Sequence, residues 1–166
     1  MGDLIQKADQ GEFQIIVHGC NCFNVMGAGI AAAIAKRAPQ APKADHTTFK
    51  GDRRKLGTYT KSVVSDIYAK SVYTIINAYT QYTFWDVDDM LDYGAVHRVF
   101  TQLKQDFDSN TSGGEIPAIG IPLIGAGLAC GDWNRIEKII DDIGFRNLTC
   151  VVFDEEHLKK INRTIS

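Results

Sequence analysis

The sequence predicts an α/β fold in which a mixed, mainly parallel sheet lies between two layers of helices. Short β-branched runs alternate with segments of helical spacing, and two glycine-rich loops each join a predicted strand to a predicted helix. No internal repeat or low-complexity segment interrupts this pattern. With 166 residues, 45% of them hydrophobic, the chain can bury one sizeable core, so we expect a single domain over residues 1–166.

The first half of the chain predicts one helix and three strands. The β-branched run Ile15–Val17 is typical of a strand, and the alanine-rich segment Gly29–Arg37 predicts a helix. Pro39 ends that helix because proline cannot continue the backbone hydrogen bonding. The remaining predicted elements are a long connection over residues 39–54 with at most a short helix, a half-buried strand over residues 58–64 and a more apolar strand over residues 72–77.

The second half predicts helices and strands in alternation. Apolar residues at helical spacing predict the longest helix over residues 90–107, followed by a polar loop over residues 109–114. Asp132 is a candidate N-cap for a helix over residues 133–143. The other predicted elements are strands over residues 116–121 and 148–153 and an amphipathic helix over residues 155–165.

The charge balance excludes a global attraction to polyanions. Eighteen Lys and Arg against 20 Asp and Glu give a formal charge of −2, so no positive field recruits nucleic acid or an anionic membrane. No apolar run approaches the roughly 20 residues that span a bilayer, and no secretion signal is recognisable. We therefore expect a cytoplasmic protein with no membrane partner, which binds any anionic ligand through local groups.

The four cysteines, Cys20, Cys22, Cys130 and Cys150, predict free thiols. Cys20 and Cys22 stand closer together than the usual zinc-ligand pair, and no second pair of Cys or His completes a set of four. We expect neither a metal nor another cofactor.

The two glycine-rich loops carry the strongest functional signal. The first glycine loop, residues 19–30, and the second glycine loop, residues 122–131, each follow a strand and precede a helix. Glycines let the backbone approach a ligand, and the free N–H groups at a helix start attract anions. Neither loop matches a P-loop, and Ala32 replaces the third glycine of the dinucleotide pattern. A Rossmann domain stays an alternative on the first loop alone, but the rest of the chain argues against it.

Several short motifs resemble those of the macrodomain, an ADP-ribose-binding family. The resemblance runs from residue 2 to about residue 153 and is strongest to a branch with three members: yeast-type ADP-ribose 1″-phosphate phosphatases, terminal ADP-ribose protein glycohydrolases and bacteriophage relatives. The motifs are Gly2-Asp3-Leu4-Ile5, His18-Gly19-Cys20-Asn21, Gly27-Ala28-Gly29-Ile30, and Gly125-Ala126-Gly127-Leu128 followed by Asp132-Trp133. The resemblance implies a three-layer α/β/α sandwich and a ligand that is ADP-ribose or ADP-ribose 1″-phosphate.

The resemblance also implies roles for individual residues. Asp3 and Leu4 would hold the adenine, and Asn21 would hydrogen-bond the distal ribose, with Asn24 facing the same pocket. Backbone amides would bind the diphosphate from both sides, and Asn77 and Tyr79 would lie at the crevice rim, where a tyrosine can stack on the nucleoside. The residues of the two loops with this role are Gly27, Ala28, Gly29, Ile30, Pro122, Ile124, Gly125, Ala126, Gly127 and Leu128.

Structural interpretations of the same side chains stay open. Asp3 is also a candidate helix cap, and Asn21 is also a candidate Asx turn that stabilises its own loop. His18 is either a buried core histidine or a proton donor beside the distal phosphate. Asp45 is either a solvated loop residue or an acid–base group.

The predicted activity is a metal-independent ADP-ribose 1″-phosphate phosphatase. Asn21, His18 and Asp45 are its candidate catalytic residues, and the loop amides would offset the charge that shifts during transfer. Residues 77–85 contain no Lys, and Ala129 stands where glycohydrolase relatives have an Asp, which argues against removal of ADP-ribose by a lysyl adduct.

Several alternatives and accompanying expectations stay open. A non-catalytic ADP-ribose reader and a hydrolase that removes ADP-ribose from proteins or nucleic acid are the alternative functions. Direct nucleic-acid binding is disfavoured because no Lys/Arg stripe accompanies the aromatic residues. We expect a monomer, in the host cytoplasm if the source is viral.

Overall fold

The computed structural model describes residues 1–109 and 113–163, and it confirms the predicted α/β fold with a mixed, mainly parallel sheet. The five strands are β1 (Ile15–Cys20), β2 (Tyr59–Val64), β3 (Tyr73–Tyr79), β4 (Ile119–Ile121) and β5 (Leu148–Cys150). They lie in the order β2-β3-β1-β4-β5. β1 is parallel to β3 and β4, β4 is parallel to β5, and β2 is antiparallel to β3.

Six helices accompany the sheet. They are α1 (Leu4–Asp9), α2 (Gly29–Arg37), α3 (Gln40–Asp45), α4 (Tyr93–Leu103), α5 (Trp133–Ile143) and α6 (Glu155–Arg163). Short 3₁₀ segments lie at Arg53–Lys55 and Val87–Asp89, and a π-helical turn, Lys104–Asp108, continues α4. No helix in the described ranges is both long and apolar enough to cross a membrane.

Alternation along the strands divides the core into two layers. Ile15 and Val17 of β1 pack with the buried faces of α4 and α5, whereas Ile16 between them packs with α1, α2 and α3. Successive side chains of a strand point to opposite faces, so one strand supplies both layers. The result is the three-layer α/β/α sandwich expected from the sequence.

The bounds of several elements differ from the sequence-based ones: β1 extends beyond Val17 to Cys20, and β5 ends at Cys150 and not at residue 153. Asp92 caps α4 by accepting from the Ala95 amide at 2.8 Å, so this helix begins at Tyr93 and not at residue 90. β4 begins at Ile119 because Pro117, two residues earlier, has no N–H to donate. α1 was not predicted, and residues 110–112 of the expected polar loop and 164–165 of the last expected helix lie outside the described residues.

The chain changes direction across the sheet between β1 and β4, and a crevice lies at this point. From β1 the chain turns through α2 and α3 towards β2 and β3, whereas from β4 it turns through α5 towards β5 on the other side. Open α/β sheets bind ligands at such a switch point, beyond the carboxyl ends of the strands. The first glycine loop follows β1 and the second follows β4, so both begin at this point.

Candidate functional site

The two glycine loops lie close together across the crevice. A Cβ atom placed on Gly29 of the first loop would lie 3.6 Å from Cδ1 of Leu128 in the second loop. Below them, a Cβ on Gly19 would lie 3.2 Å from Cγ1 of Ile124. Ile124 is 2% exposed and forms the buried base of the second loop, whereas Leu128 is 70% exposed at its tip. The predicted pairing of the two loops at one crevice is therefore a feature of the fold.

The first glycine loop leaves its amides free at the start of α2. Ala28 is the N-cap of that helix, and no side chain caps it. The backbone amides of Gly27, Ala28, Gly29 and Ile30 donate to no acceptor within residues 1–109 and 113–163. Unpaired amides at a helix start carry partial positive charge, so this loop suits an anionic group.

The second glycine loop has free amides within the loop itself, whereas the start of α5 is capped by Asp132. As predicted, Asp132 is the N-cap, and its carboxylate accepts from the Asn134 amide at 3.0 Å. Ala126 is not available as a donor, since its amide donates to the Leu123 carbonyl at 3.2 Å. The amides of Gly125, Gly127 and Leu128 have no acceptor among the described residues.

The glycines of the second loop serve two different purposes. Gly125 has φ +76°, and a Cβ on it would lie 2.8 Å from Leu91, so the fold itself requires glycine there. A Cβ on Gly131 would lie 2.6 Å from the Gly125 carbonyl oxygen. Gly127 lacks a positive φ and has nothing within 4 Å of its Cβ position. Packing does not explain a glycine at position 127, whereas a ligand against the backbone would.

Alanine substitutions separate these two purposes. We expect Gly131→Ala to destabilise the protein by about 1–3 kcal/mol, because its new methyl meets backbone that cannot move aside cheaply. Gly127→Ala is expected to stay within about 0.5 kcal/mol of the wild type. Urea unfolding of both variants measures this, and equal losses of stability would contradict the distinction.

Asp3 lies at the same edge of the sheet as the two glycine loops, and it caps α1. Its Oδ1 accepts from the amides of Ile5 and Gln6 at 2.8 and 3.0 Å, as the structural interpretation expects. The Gly2 amide donates to the Val152 carbonyl, just beyond β5. The Leu4 side chain is buried in the core, but its amide has no acceptor in the described part of the chain. Oδ2 of Asp3 and the Leu4 amide therefore stay available to a ligand on the β5 side.

His18, Asn77 and Tyr79 do not line the crevice, contrary to the expected rim and proton-transfer roles. Each is 0% exposed. Nε2 of His18 donates to Oδ1 of Asn77 at 2.8 Å, and Nδ2 of Asn77 donates to the Ala41 carbonyl and to Oγ1 of Thr60. The face of β3 that carries Asn77 and Tyr79 is covered by α3, so these side chains point into the core.

The titratable groups of this buried cluster are held in one protonation state. Burial lowers the pKa of His18 from 6.5 to about 4, so its imidazole is neutral near pH 7. Burial also raises the pKa of the Tyr79 hydroxyl, which stays protonated and donates to Oδ1 of Asp45 at 2.7 Å. Asp45 is 1% exposed, so it is neither the solvated loop residue nor an accessible acid–base group. We assign no proton-transfer role to His18 or Asp45.

Asn21 and Asn24 shape the first glycine loop from within. Asn21 forms the Asx turn expected of its structural interpretation: Oδ1 accepts from the Phe23 amide at 2.9 Å and Nδ2 donates to the Val25 carbonyl at 2.8 Å. Asn24 has φ +58°, a left-handed conformation that asparagine tolerates better than most residues. Both amide groups are engaged within the protein.

A cavity of about 380 Å³ lies on the β3 side of the crevice. Leu91, which packs against Gly125 of the second loop, and Tyr82, which packs edge-on against Phe23 of the first, both line it. Its other lining residues include Arg53, stacked 3.7 Å from the centre of the Tyr82 ring, and Arg135, stacked 3.9 Å from that of Tyr93. Arg53 also forms an ion pair with Asp89, whereas Arg135 has no carboxylate partner among the described residues.

Comparison with known protein families identifies the family of this chain. The family model described as Macro domain matches residues 17–140, a range that contains both glycine loops. The chain belongs to the macro domain family. It is also 34% identical over 158 residues to an uncharacterised 17.5 kDa protein of Enterobacteria phage T4, encoded in the tk-vs intergenic region. That alignment covers 95% of this chain and 95% of the phage protein.

Solved macrodomains share the fold at low sequence identity. The macrodomain of Mycobacterium tuberculosis DarG has a TM-score of 0.67 at 19% identity, covering 92% of this macrodomain and 93% of that chain. Thermosipho africanus DarTG, solved in complex with ADP-ribose, has a TM-score of 0.67 at 13% identity. In that case the similarity covers 87% of this macrodomain and 39% of the longer chain.

Two residues that shape the site of this macrodomain carry no recognisable signal in the sequence. Leu91 lies just before α4 and packs against Gly125 of the second glycine loop. Lys55 lies in a 3₁₀ turn and contacts the first glycine loop. Both act on loops more than 30 residues away in sequence. No local pattern marks such residues, because the contact exists only after the sheet has formed.

Proposed function

We propose that this macrodomain binds ADP-ribose derivatives with the diphosphate between the two glycine loops. The free amides on both sides of the crevice support the proposal most strongly, because they suit a doubly negative diphosphate without a lysine or arginine. The open space at Gly127 supports it independently. The net charge of −2 is no obstacle, since the attraction comes from local dipoles.

We propose that the ligand runs across the edge of the sheet from β5 to β3. Asp3 and Leu4 lie on the β5 side, where a carboxylate oxygen and a free amide suit the exocyclic amine and a ring nitrogen of adenine. The 380 Å³ cavity lies on the β3 side and suits the distal ribose and its substituent. Asn21 uses one Nδ2 hydrogen on the Val25 carbonyl, which leaves the second Nδ2 hydrogen for a hydroxyl of that ribose.

The reaction that suits this site best is removal of the terminal phosphate from ADP-ribose 1″-phosphate. Water attacks the phosphorus atom, the bond from phosphorus to the ribose oxygen breaks, and one proton of the water passes to that oxygen, so that ADP-ribose and inorganic phosphate result. Positioned amides can orient the phosphate and offset the charge that develops on its oxygens. Among the described residues that line the cavity, Arg135 is a cation without a carboxylate partner, so it suits this phosphate.

Phosphate release tests the proposed reaction. Purified protein is incubated with ADP-ribose 1″-phosphate in the presence of a chelator, and free phosphate is followed over time. We expect release above a buffer control, and loss of that release in Gly127→Glu, whose carboxylate would occupy the diphosphate position. Absence of release from the wild type would remove the enzyme proposal and leave binding.

A non-catalytic reader of ADP-ribose is the second candidate function. The burial of His18 and Asp45 favours it, because neither of the expected proton-transfer groups reaches the crevice. Removal of ADP-ribose from a macromolecule has less support, since residues 77–85 contain no Lys and position 129 is Ala. Tight ADP-ribose binding with no product from either substrate class distinguishes the reader.

A further inference from the structure

Lys55 is a buried cation whose hydrogen bonds go to the first glycine loop. Its side chain is 6% exposed, and Nζ donates to Oδ1 of Asn24 at 2.7 Å and to the Cys22 carbonyl at 3.3 Å. The ammonium also lies 4.5 Å from the centre of the Tyr79 ring. A buried ammonium without partners would be costly, so these contacts hold both chain segments together.

Asp45 balances the charge of Lys55, whereas Asn24 and the Cys22 carbonyl accept its hydrogen bonds. Its carboxylate neighbour is Asp45, at 3.8 Å between Nζ and Oδ1, beyond ordinary hydrogen-bond length. Oδ1 of Asp45 instead accepts from the Tyr79 hydroxyl. Charge compensation and loop contact can therefore be removed separately.

The side chain of Asn24 links Lys55 to the backbone of the first glycine loop. While its Oδ1 accepts from Lys55, its Nδ2 donates to the carbonyls of Asp45 and Thr48 at 3.0 and 3.2 Å. These bonds hold a residue at φ +58°, a conformation that persists only where surrounding contacts enforce it. Gly27, the first of the open amides, follows three residues later.

We propose that Lys55 is a positioning residue that holds the first glycine loop in its ligand-ready conformation. The lysine does not touch the ligand: it fixes Cys22 and Asn24, and through them the direction of the amides from Gly27 to Ile30. The effect on affinity rests on the proposed ADP-ribose binding, whereas the effect on the loop does not.

A pair of variants separates loop positioning from charge balance. Lys55→Met leaves Asp45 buried without a cation and is expected to lose stability and binding together. The double variant Lys55→Met with Asp45→Asn removes both charges, so stability recovers while the loop contacts stay absent. We expect the two hydrogen-bonded amides of this loop, those of Cys22 and Phe23, to exchange with deuterium about tenfold faster in the double variant than in the wild type. ADP-ribose is expected to bind about tenfold more weakly.

Two further variants keep the test decisive. Asn24→Gly tolerates the positive φ and removes the side-chain acceptor of Lys55, so the same loop-selective increase in exchange is expected while the buried Lys55–Asp45 charge pair stays intact. Lys104→Met is the matched control, because Lys104 likewise donates to two backbone carbonyls, those of Ile143 and Gly144, away from the crevice. It should leave exchange and affinity at the first loop unchanged.

The outcomes distinguish this role from a general structural one. Faster exchange confined to the first glycine loop supports positioning, even if the wild type binds no ADP-ribose and the proposed function fails. Unchanged exchange in the double variant and in Asn24→Gly overturns it. Equal acceleration in both glycine loops also overturns it, since that result indicates general loosening of the fold.

Discussion

Gly127→Glu is expected to weaken ADP-ribose binding strongly while leaving the fold intact. The Cβ position of Gly127 is open and its φ is not in the left-handed region, so the substitution causes no clash or backbone strain. The new carboxylate would stand where the diphosphate lies. Two like charges about 4 Å apart repel by about 4 kcal/mol at a protein surface, which corresponds to a loss of affinity on the order of 100- to 1000-fold. Isothermal titration calorimetry with ADP-ribose measures it.

Two variants control this experiment. Gly114→Glu makes the same charge change at another glycine with open space around its Cβ position, and it should bind like the wild type. Gly127→Gln adds similar bulk without charge and should bind with intermediate affinity, which separates shape from repulsion. If Gly127→Glu keeps wild-type affinity, the diphosphate does not lie against the second glycine loop.

The burial of His18 is expected to make stability fall as the pH decreases from 6.5 to 4. Because the pKa of His18 falls from 6.5 in the unfolded chain to about 4 in the folded one, the unfolded state binds the extra proton in this window. The stabilisation is complete above pH 6.5 and is lost progressively towards pH 4. The 2.5-unit difference corresponds to about 3 kcal/mol.

Urea unfolding between pH 4 and 7 measures this dependence. His18→Gln removes the titrating group, so the difference in unfolding free energy between wild type and variant should change by about 3 kcal/mol across the window. His97→Gln removes an exposed histidine of α4 and should follow the wild-type profile. Parallel profiles for wild type and His18→Gln would mean that the imidazole is not held neutral by the fold.

The layered fold could be predicted because its signals are local. β-Branched runs mark β1 and β3, Pro39 marks the end of α2, and Asp132 marks the start of α5, and each of these signals lies within a few residues of the element it defines. β4 was predicted too long because the apolar residues 116–121 include Pro117, which has no N–H for the pairing with a neighbouring strand. The helix α1 is only six residues long, so it depends on packing of Leu4 and Ala8 more than on its own propensity.

The positions of the glycine-loop backbones in the candidate site could be predicted from the sequence, whereas the orientations of the side chains around them could not. Glycine loops after parallel strands meet at one edge whatever side chains surround them, so the pairing of the two loops followed from order and spacing. The orientation of His18, Asn77 and Tyr79 depends instead on how α3 covers the end of β3. That packing brings together Ala41, Asp45 and Lys55, residues that no sequence pattern connects with the strands.

An amide-resolved titration tests the central claim most directly. ¹⁵N-labelled wild-type protein is titrated with ADP-ribose, and backbone amide chemical shifts are followed by NMR. We expect saturable shifts that are largest at the free amides of Gly27 to Ile30 and of Gly125, Gly127 and Leu128, with a smaller group at Asp3 and Leu4. Absence of saturable shifts, or shifts confined to residues outside the two glycine loops, would contradict the claim that facing loop amides form the ligand site.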